Sequence, residues 1–149
     1  MARQRSIGEK PVVARTAVAF GELTVSAATR RAIRAGRVAK GDPIGAGELA
    51  GLLAMKRTPE LIPHCHPVHL TGGEVEIRVG ARTVQVRATA EALDRTGVEM
   101  EALVGATVAL LTVWDMVKYL EKDGRGLYPG TVLGPIRVKS KEKGDGSSR

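Results

Sequence analysis

The sequence predicts an α+β fold with helices packed on one face of a mostly antiparallel sheet. Apolar and polar residues alternate along 75–79 and along 84–89, on either side of Gly80 and Ala81, which predicts a two-stranded hairpin. A long apolar helix is predicted after Thr96, and a strand is predicted near each end of the chain. The resulting order is strand, helix, helix, hairpin, long helix and strand, with no internal repeat.

The first quarter of the chain carries signals for a strand and a short helix. Residues 12–25 are rich in β-branched side chains and alternate in part, which predicts an extended segment. Ser26 is a candidate N-cap for a helix that continues to Arg34 and that Gly36 would end.

A second helix is predicted from Asp42, because a capping side chain followed by Pro43 is a good helix start. The Ala/Leu-rich run after it reads as helical to about Arg57. Three prolines between residues 58 and 68 exclude a long helix there, so an ordered loop or an extended edge is expected.

The second half of the chain is organised around the long helix. Residues 96–99 have the Ser/Thr-x-x-Glu form of a capping box, which predicts its start. The Gly-containing run 123–126 ends it, and residues 131–138 predict the last strand. Residues 1–10 and 140–149 are polar, basic or Gly/Ser-rich, and we expect them to be flexible tails.

Length and charge narrow the class of protein. A chain of 149 residues is expected to form a single domain, here 1–149. Its net charge of +7 suits an anionic partner, such as a nucleic acid, a membrane surface or a phosphorylated small molecule. A basic RNA-binding module is the alternative class, but such modules stack bases on clustered aromatic side chains. The aromatic residues here form no cluster in the sequence: Phe20, Trp114, Tyr119 and Tyr128.

Cysteine usage and the N-terminus favour a cytoplasmic protein. Cys65 is the only cysteine, so no intramolecular disulfide is possible and a reducing compartment fits. The basic first residues lack the apolar core of a signal peptide. We expect no apolar run to approach the ~20 residues that span a bilayer, and therefore no membrane association.

The densest candidate site is the segment 56–67. All three histidines, His64, His66 and His69, lie within six residues around Cys65. Histidine is the side chain best suited to proton transfer near neutral pH. A zinc site is a rival interpretation, although four converging ligands are needed and no second Cys/His cluster exists. The other rival interpretation is a loop that the prolines merely stiffen.

A second cluster lies on the predicted long helix, with Glu99, Glu101, Asp115 and Lys118. Asp115 and Lys118 are three residues apart and share a helix face. A surface ion pair is the common interpretation, but apolar neighbours favour perturbed ionisation and acid–base chemistry. Glu101 and Asp115 would lie ~21 Å apart along a straight helix. Either the helix breaks, for instance at Gly105, or its two ends serve different sites.

Cations are spread along the whole chain and could bind phosphate groups. A solvated basic surface explains them equally well. The candidates are Arg15, Lys40, Lys56, Arg57, Lys118, Lys139, Lys141 and Lys143. No GxxxxGK(S/T) motif and no GxGxxG before a helix is present, which disfavours ATPase and dinucleotide chemistry.

Three stretches resemble the cyclic pyranopterin monophosphate synthase family, also called MoaC. The first is K-G-D at 40–42, and the second is K-R-T-P-E-L-I-P-H-C-H-P at 56–67, continuing to 70–72. The third is T-G-V-E-M-E-A-L at 96–103 with L-T-V-W-D-M-V-K at 111–118. Their order and spacing cover most of the chain.

The resemblance implies a ferredoxin-like fold and a homohexamer built as a trimer of dimers with sites between subunits. It implies a lyase that converts (8S)-3′,8-cyclo-7,8-dihydroguanosine 5′-triphosphate to cyclic pyranopterin monophosphate and diphosphate in molybdenum cofactor biosynthesis. We expect no cofactor and no protein-bound metal, although Mg²⁺ could accompany the triphosphate. Apolar residues around much of the long helix, Leu111 among them, independently predict a homo-oligomer.

Carried over by position, the resemblance also implies residue roles. Asp115 corresponds to the general acid/base, and Lys40 and Lys118 to the essential lysines. A larger set corresponds to substrate-contacting positions: Arg15, His64, Cys65, His66, Glu99, Met100, Glu101 and Lys139.

The chain departs from the family pattern in three places. His64 stands where an apolar residue is usual, and Val68-His69 replaces a Leu-Pro pair. The glycine-rich K-S-G-G-K-S-G string is K-S-K-E-K-G at 139–144, which keeps two lysines but loses the glycines.

Overall fold

The computed structural model describes residues 1–144. The strands and helices follow one another along the chain in the order β1 (Val13–Thr24), α1 (Ala27–Arg34), α2 (Pro43–Met55), α3 (Thr58–Leu61), β2 (Leu70–Val79), β3 (Thr83–Asp94), α4 (Glu99–Glu121) and β4 (Val132–Lys143). The sheet order is β2-β3-β1-β4, and each neighbouring pair is antiparallel. Since α2 and α4 pack on one face of this sheet, the predicted ferredoxin-like α+β class is confirmed.

The hairpin β2–β3 shows the predicted alternation. Ile77, Val84 and Val86 are buried towards the helices, whereas Arg78 and Arg87 are exposed on the other face. The strands pair with Val79 opposite Val84 across the turn at 80–82. Burial of one face of the sheet fixes the register, because a slip of one residue would expose the whole apolar set.

The two predicted capping residues of the first helices form their hydrogen bonds. The Ser26 hydroxyl accepts from the Thr29 N–H at 3.1 Å at the start of α1. An Asp42 carboxylate oxygen accepts from the Ile44 N–H at 3.0 Å at the start of α2. Each bond satisfies a backbone donor that the first helical turn leaves unpaired.

Three local predictions need correction. Residues 96–99 form no capping box, because α4 begins at Glu99 and its N-cap, Val98, makes no side-chain cap. The proline-rich segment contains the one-turn helix α3, which can include Pro59 because this proline lies in the first turn. Finally, β4 continues past Val138 to Lys143 and pairs with β1, so residues 140–143 lie in the sheet. Residues 145–149 of the expected tail lie outside the described residues.

The helices α2 and α4 cross at very short range through glycines. A Cβ atom on Gly51 would lie 2.7 Å from the Gly105 carbonyl oxygen and 2.9 Å from the Ala109 Cβ. A Cβ atom on Gly47 would lie 2.9 Å from the Ala109 carbonyl oxygen. Glycine is unfavourable inside a helix, but at these positions the close crossing of α2 and α4 leaves no room for a side chain.

The helix α4 carries the core of the domain. Its residues Ala102, Ala106, Leu110 and Val113 are fully buried. Among residues 1–144 it is the one helix long and apolar enough to cross a membrane, with 23 residues and a mean hydropathy of 1.5, contrary to the expectation that no apolar run has that length. A core helix can be equally long and apolar, and α4 packs against the sheet and α2 as a core helix does.

Candidate active site

Asp115 lies between two lysines that come from distant parts of the chain. Lys118 Nζ is 2.8 Å from Asp115 Oδ1, one turn away on α4. Lys40 Nζ, in the connection between α1 and α2, lies 3.4 Å from Asp115 Oδ2 and donates to the Asp115 carbonyl oxygen at 3.0 Å. The fold thus brings together the three residues that the resemblance implies are catalytic.

The electrostatics of this cluster are those of an exposed ion triad. Hydrogen bonds from Lys118 and then Lys40 hold the pKa of Asp115 below its usual value, and Asp115 raises the pKa of Lys118 in return. The side chains of Asp115 and Lys118 are 57% and 40% exposed. The predicted perturbed ionisation of this pair therefore arises from the opposite charges themselves, and the pair is not buried by its apolar neighbours within the single chain.

An aromatic pair flanks the triad. The rings of Trp114 and Tyr128 meet edge to face with centroids 5.8 Å apart. Tyr128, from the loop after α4, also lies close enough to Lys118 to influence its charge. Two of the aromatic residues that look isolated in the sequence therefore form a contact beside the candidate site.

At the other end of α4, Glu101 and Cys65 form a buried pair. Glu101 is 1% exposed, and its Oε1 accepts a hydrogen bond from the Cys65 thiol at 3.6 Å. Its Oε2 is buried and has no hydrogen-bond partner. Burial raises the pKa of Glu101, and burial together with Glu101 raises the pKa of Cys65 to about 11. Cys65 is therefore a thiol that donates a hydrogen bond, since the reactive thiolate is disfavoured.

An open pocket of about 260 Å³ lies beside this pair. Glu101 reaches its wall, and the proline-rich segment and β2 supply the rest of the lining: Met55, Lys56, Pro59, Val68, His69 and Leu70. His69 is held there by its backbone N–H, which donates to Asp94 Oδ2 at 3.3 Å. An apolar pocket with a few polar groups is suited to a flat heterocycle.

The three histidines differ in their surroundings. His64 is exposed and His66 half-buried, while His69 faces the pocket beside Glu101. Within residues 1–144, no group of three or more His, Cys, Asp or Glu side chains is arranged to hold a metal ion.

A cationic pocket lies near the start of α4. Its volume is about 160 Å³, and Arg15, Lys141 and Lys143 line it together with Glu99. Lys141 Nζ is 3.3 Å from Glu99 Oε1. Arg15 is fixed by hydrogen bonds to the carbonyl oxygens of Asp94 and Arg95, at 3.4 and 3.2 Å.

An irregularity in β4 decides which lysines reach this pocket. Ala19 pairs with Val138, but Val18 pairs with Ser140, so Lys139 is an extra residue. Beyond it Lys141 pairs with Ala17, whose side chain faces the helices. Lys139 instead lines a groove with Phe20 and Arg137, so this predicted substrate residue lies away from the others.

The course of α4 determines where the remaining predicted residues lie. Met100 is 41% exposed on the outer side of the helix, whereas its neighbour Glu101 is buried. The helix is continuous from Glu99 to Glu121, without a break at Gly105. Within one chain, Glu101 and Asp115 thus belong to sites ~21 Å apart.

Two contacts at these sites were not predicted from the sequence. The Tyr119 hydroxyl accepts from the Ala39 N–H beside Lys40, at 2.7 Å. Asp94 holds His69, as described above. Neither Tyr119 nor Asp94 belongs to a recognisable motif, because each contacts a segment that is distant in sequence.

In this ferredoxin-like domain, one end of the long helix presents an aspartate between two lysines, and the other end adjoins an open pocket and a basic pocket. This arrangement defines a small enzyme for acid–base chemistry on an anionic ligand. A family model described as "MoaC family" matches residues 4–144. The chain therefore belongs to the MoaC family.

Relatives from archaea match along nearly their whole length. A protein of Thermococcus kodakarensis named "Probable cyclic pyranopterin monophosphate synthase" is 49% identical over 139 residues, 93% of this chain and 89% of that protein. One of Aeropyrum pernix with the same name is 51% identical over 138 residues, 93% of this chain and 94% of that protein. One of Methanothermobacter thermautotrophicus, named as a "synthase accessory protein", is 46% identical over 141 residues, 95% of this chain and 89% of that protein. The nucleic-acid-binding alternative finds no support in these matches.

Proposed function

We propose that this chain is a cyclic pyranopterin monophosphate synthase, a lyase of molybdenum cofactor biosynthesis. Its substrate is (8S)-3′,8-cyclo-7,8-dihydroguanosine 5′-triphosphate, and its products are cyclic pyranopterin monophosphate and diphosphate. The observation that carries this proposal is the convergence of Lys40 and Lys118 on Asp115, at 3.4 and 2.8 Å. Lys40 is 75 residues away from Asp115 in sequence, so the cluster is a product of the fold.

The triad has the properties that the reaction needs. Opening a purine-derived ring, rebuilding it as a pterin and closing a cyclic phosphate all move protons. An ionised Asp115 can accept a proton, and a protonated Lys40 or Lys118 can donate one. The same lysines, with cations such as Arg15 and Lys143, can stabilise the charge that builds on the departing diphosphate.

The buried end of α4 supplies the other part of the proposed substrate site. Glu101, whose Oε2 lacks a partner, can hydrogen-bond the edge of a guanine- or pterin-like ring in the pocket beside it. His66 and His64 lie on the neighbouring segment and can contact the remainder of the substrate. A buried polar atom that finds a partner only when substrate binds favours the correct heterocycle.

Because one straight helix separates Glu101 from Asp115 by ~21 Å, we propose that a complete site combines the two ends from different subunits. A single bound molecule of this size cannot contact both ends of one chain. The outer faces of the helices support an assembly, since Leu49, Leu53 and Leu111 are 59%, 49% and 51% exposed. The assembly expected from the family resemblance is a homohexamer, a trimer of dimers.

Subunit sharing is tested by mixing inactive variants. Asp115→Asn and Glu101→Gln subunits, unfolded and refolded together, should regain part of the activity that each lacks alone, because some mixed sites carry both intact ends. Sedimentation of the unmixed protein should show an oligomer at micromolar concentration. A monomer, or mixtures without regained activity, would exclude shared sites.

We further propose a cytoplasmic protein without a resident cofactor, in which Mg²⁺ at most accompanies the triphosphate. Metal analysis of the purified protein tests this together with turnover after chelation and added Mg²⁺. Stoichiometric zinc whose removal abolishes turnover would reverse the assignment of the histidine segment.

The activity itself is tested by supplying the cyclic dihydroguanosine triphosphate to the purified protein. Pterin formation is followed by oxidation to a fluorescent product, and diphosphate is measured in parallel. Equal amounts of both products support the proposal, and an absence of both, with folded protein, refutes it.

A further inference from the structure

Lys40 is carried by a short turn, not by a helix or strand. The Gly41 N–H donates to the Val38 carbonyl oxygen at 3.1 Å, and Gly41 has a φ of 106°, which suits glycine. Val38 is buried, whereas Ala39 and Lys40 are exposed. The core therefore holds this turn at Val38 alone, just before the residue that must reach Asp115.

Tyr119 provides a second point of attachment. Its hydroxyl oxygen accepts a hydrogen bond from the Ala39 N–H at 2.7 Å. Tyr119 lies four residues after Asp115 on α4, so the two side chains project from the same side of the helix. One helical turn thus contacts the turn twice, with Asp115 on the Lys40 ammonium and Tyr119 on the backbone before it.

The attachment by Tyr119 matters because the ion pair between the Lys40 and Asp115 side chains is weak by itself. Lys40 and Asp115 are 44% and 57% exposed, and their closest charged atoms are 3.4 Å apart. An exposed pair of this kind must order a long side chain against solvent, which offsets much of its attraction. Fixing the backbone next to Lys40 removes part of that conformational cost.

We infer that Tyr119 is a positioning residue, whose hydroxyl holds the 38–41 turn so that Lys40 reaches Asp115. Its consequence for turnover rests on the proposed function, whereas its effect on the turn is measurable without substrate.

The substrate-free test compares Tyr119→Phe with the wild type by NMR. Loss of the hydroxyl should speed hydrogen exchange at the Ala39 amide. It should also raise the pKa of Asp115 towards its ordinary value, because Lys40 is one of two lysines that lower it. Lys118, with Tyr128 beside it, remains in place, so the pKa should stay below that value. Thr107→Val, which removes another hydroxyl of α4, is the matched control and should change neither quantity.

The kinetic test places Tyr119→Phe in two backgrounds. In the wild type, kcat/KM should fall about fivefold, the scale of one hydrogen bond, and its acid limb should move to higher pH. In a Lys40→Ala background, the same substitution should change kcat/KM by less than about twofold, because effects through one contact are not additive.

The outcomes are distinguishable. An unchanged Asp115 pKa, or an equal loss of kcat/KM in both backgrounds, overturns the positioning role. A wild-type protein without turnover refutes the proposed function instead, and the NMR comparison still decides the role of Tyr119.

Discussion

Two carboxylates of α4, Glu101 and Asp115, show how strongly position alone can change the properties of similar groups. Glu101, near the start of the helix, is 1% exposed, and burial raises its pKa. Asp115, fourteen residues later, is 57% exposed, and two lysines lower its pKa. Burial thus favours the protonated form of Glu101 more than in water, and the lysines favour the ionised form of Asp115, which can act as a base.

The difference follows from what each helix end packs against. The start of α4 is covered by the proline-rich segment, whose Cys65 thiol is the hydrogen-bond donor to Glu101. Asp115 instead remains half exposed beside the Lys40 turn, and Tyr128 lies near its neighbour Lys118. Desolvation therefore dominates at one end, and charge–charge interaction dominates at the other.

The largest expected effect is at the exposed end. Asp115→Asn preserves shape but removes the ionisable group, so turnover should fall at least ~100-fold, the usual scale for a lost acid–base residue. Lys118→Ala should likewise abolish most turnover. Steady-state assays of pterin formation measure both. Asp115→Asn should keep the fold and the oligomer size, measured by circular dichroism and sedimentation, and near-wild-type rates in both variants would make the pair merely structural.

The next largest effect lies between the two ends, where α2 crosses α4. Gly51→Ala would ordinarily stabilise a helix, but its Cβ would lie 2.7 Å from the Gly105 carbonyl oxygen. Overpacking should dominate and lower the free energy of unfolding by about 1–3 kcal/mol, measured in urea. Gly130→Ala is the control, because its Cβ would meet nothing within 4 Å. A stabilised Gly51→Ala would show that the helices can separate easily.

A smaller effect separates the two carboxylates by the pH dependence of stability. The folded state retains a proton on Glu101 that the unfolded chain loses near the ordinary pKa of 4.5, so this group destabilises the fold as pH rises above that value. Glu101→Gln should therefore gain stability relative to the wild type as pH rises, by at most about 1.4 kcal/mol per pH unit.

The opposite sign is expected at Asp115. Its pKa is lowered in the folded state, so its stabilising contribution is present above the ordinary pKa of 3.8 and is lost as pH falls. Urea unfolding of Glu101→Gln and Asp115→Asn from about pH 2 to about pH 7 compares the two, because the contribution of Asp115 changes below its ordinary pKa and that of Glu101 changes above its own. Curves of the same sign would contradict the assigned environments.

The smallest effect is a response to salt. Raising ionic strength to about 1 M shortens the screening length to about 3 Å and should move the pKa of Asp115 back towards 3.8. The pKa of Glu101 should barely change, because salt does not reverse desolvation. Carboxyl NMR titrations at low and high salt measure both, and equal shifts would show that solvent reaches Glu101.

The sequence by itself determined the features that depend on near neighbours. Alternation in the hairpin, the Ser26 and Asp42 caps, and the long apolar helix were all predicted correctly, because a strand or helix start is a local interaction. The family motifs also singled out Asp115, Lys118 and Lys40, whose side chains meet in the structure, and their catalytic roles stay a prediction. The capping box at 96–99 did not form, the proline-rich segment contains the short helix α3, and the last strand continues to Lys143. A local preference such as a cap is worth only about 1 kcal/mol, so contacts elsewhere in the fold can outweigh it.

The tertiary structure alone decided the environment of each group. Lys40 meets Asp115 across 75 residues, and Cys65 meets Glu101 across 36. The extra residue Lys139 turns Lys141 towards the helices, which no pattern in β4 indicates. Burial and pairing arise from contacts between segments distant in sequence, so the residue type predicts which chemistry is possible and the fold selects the ionisation state in which it occurs.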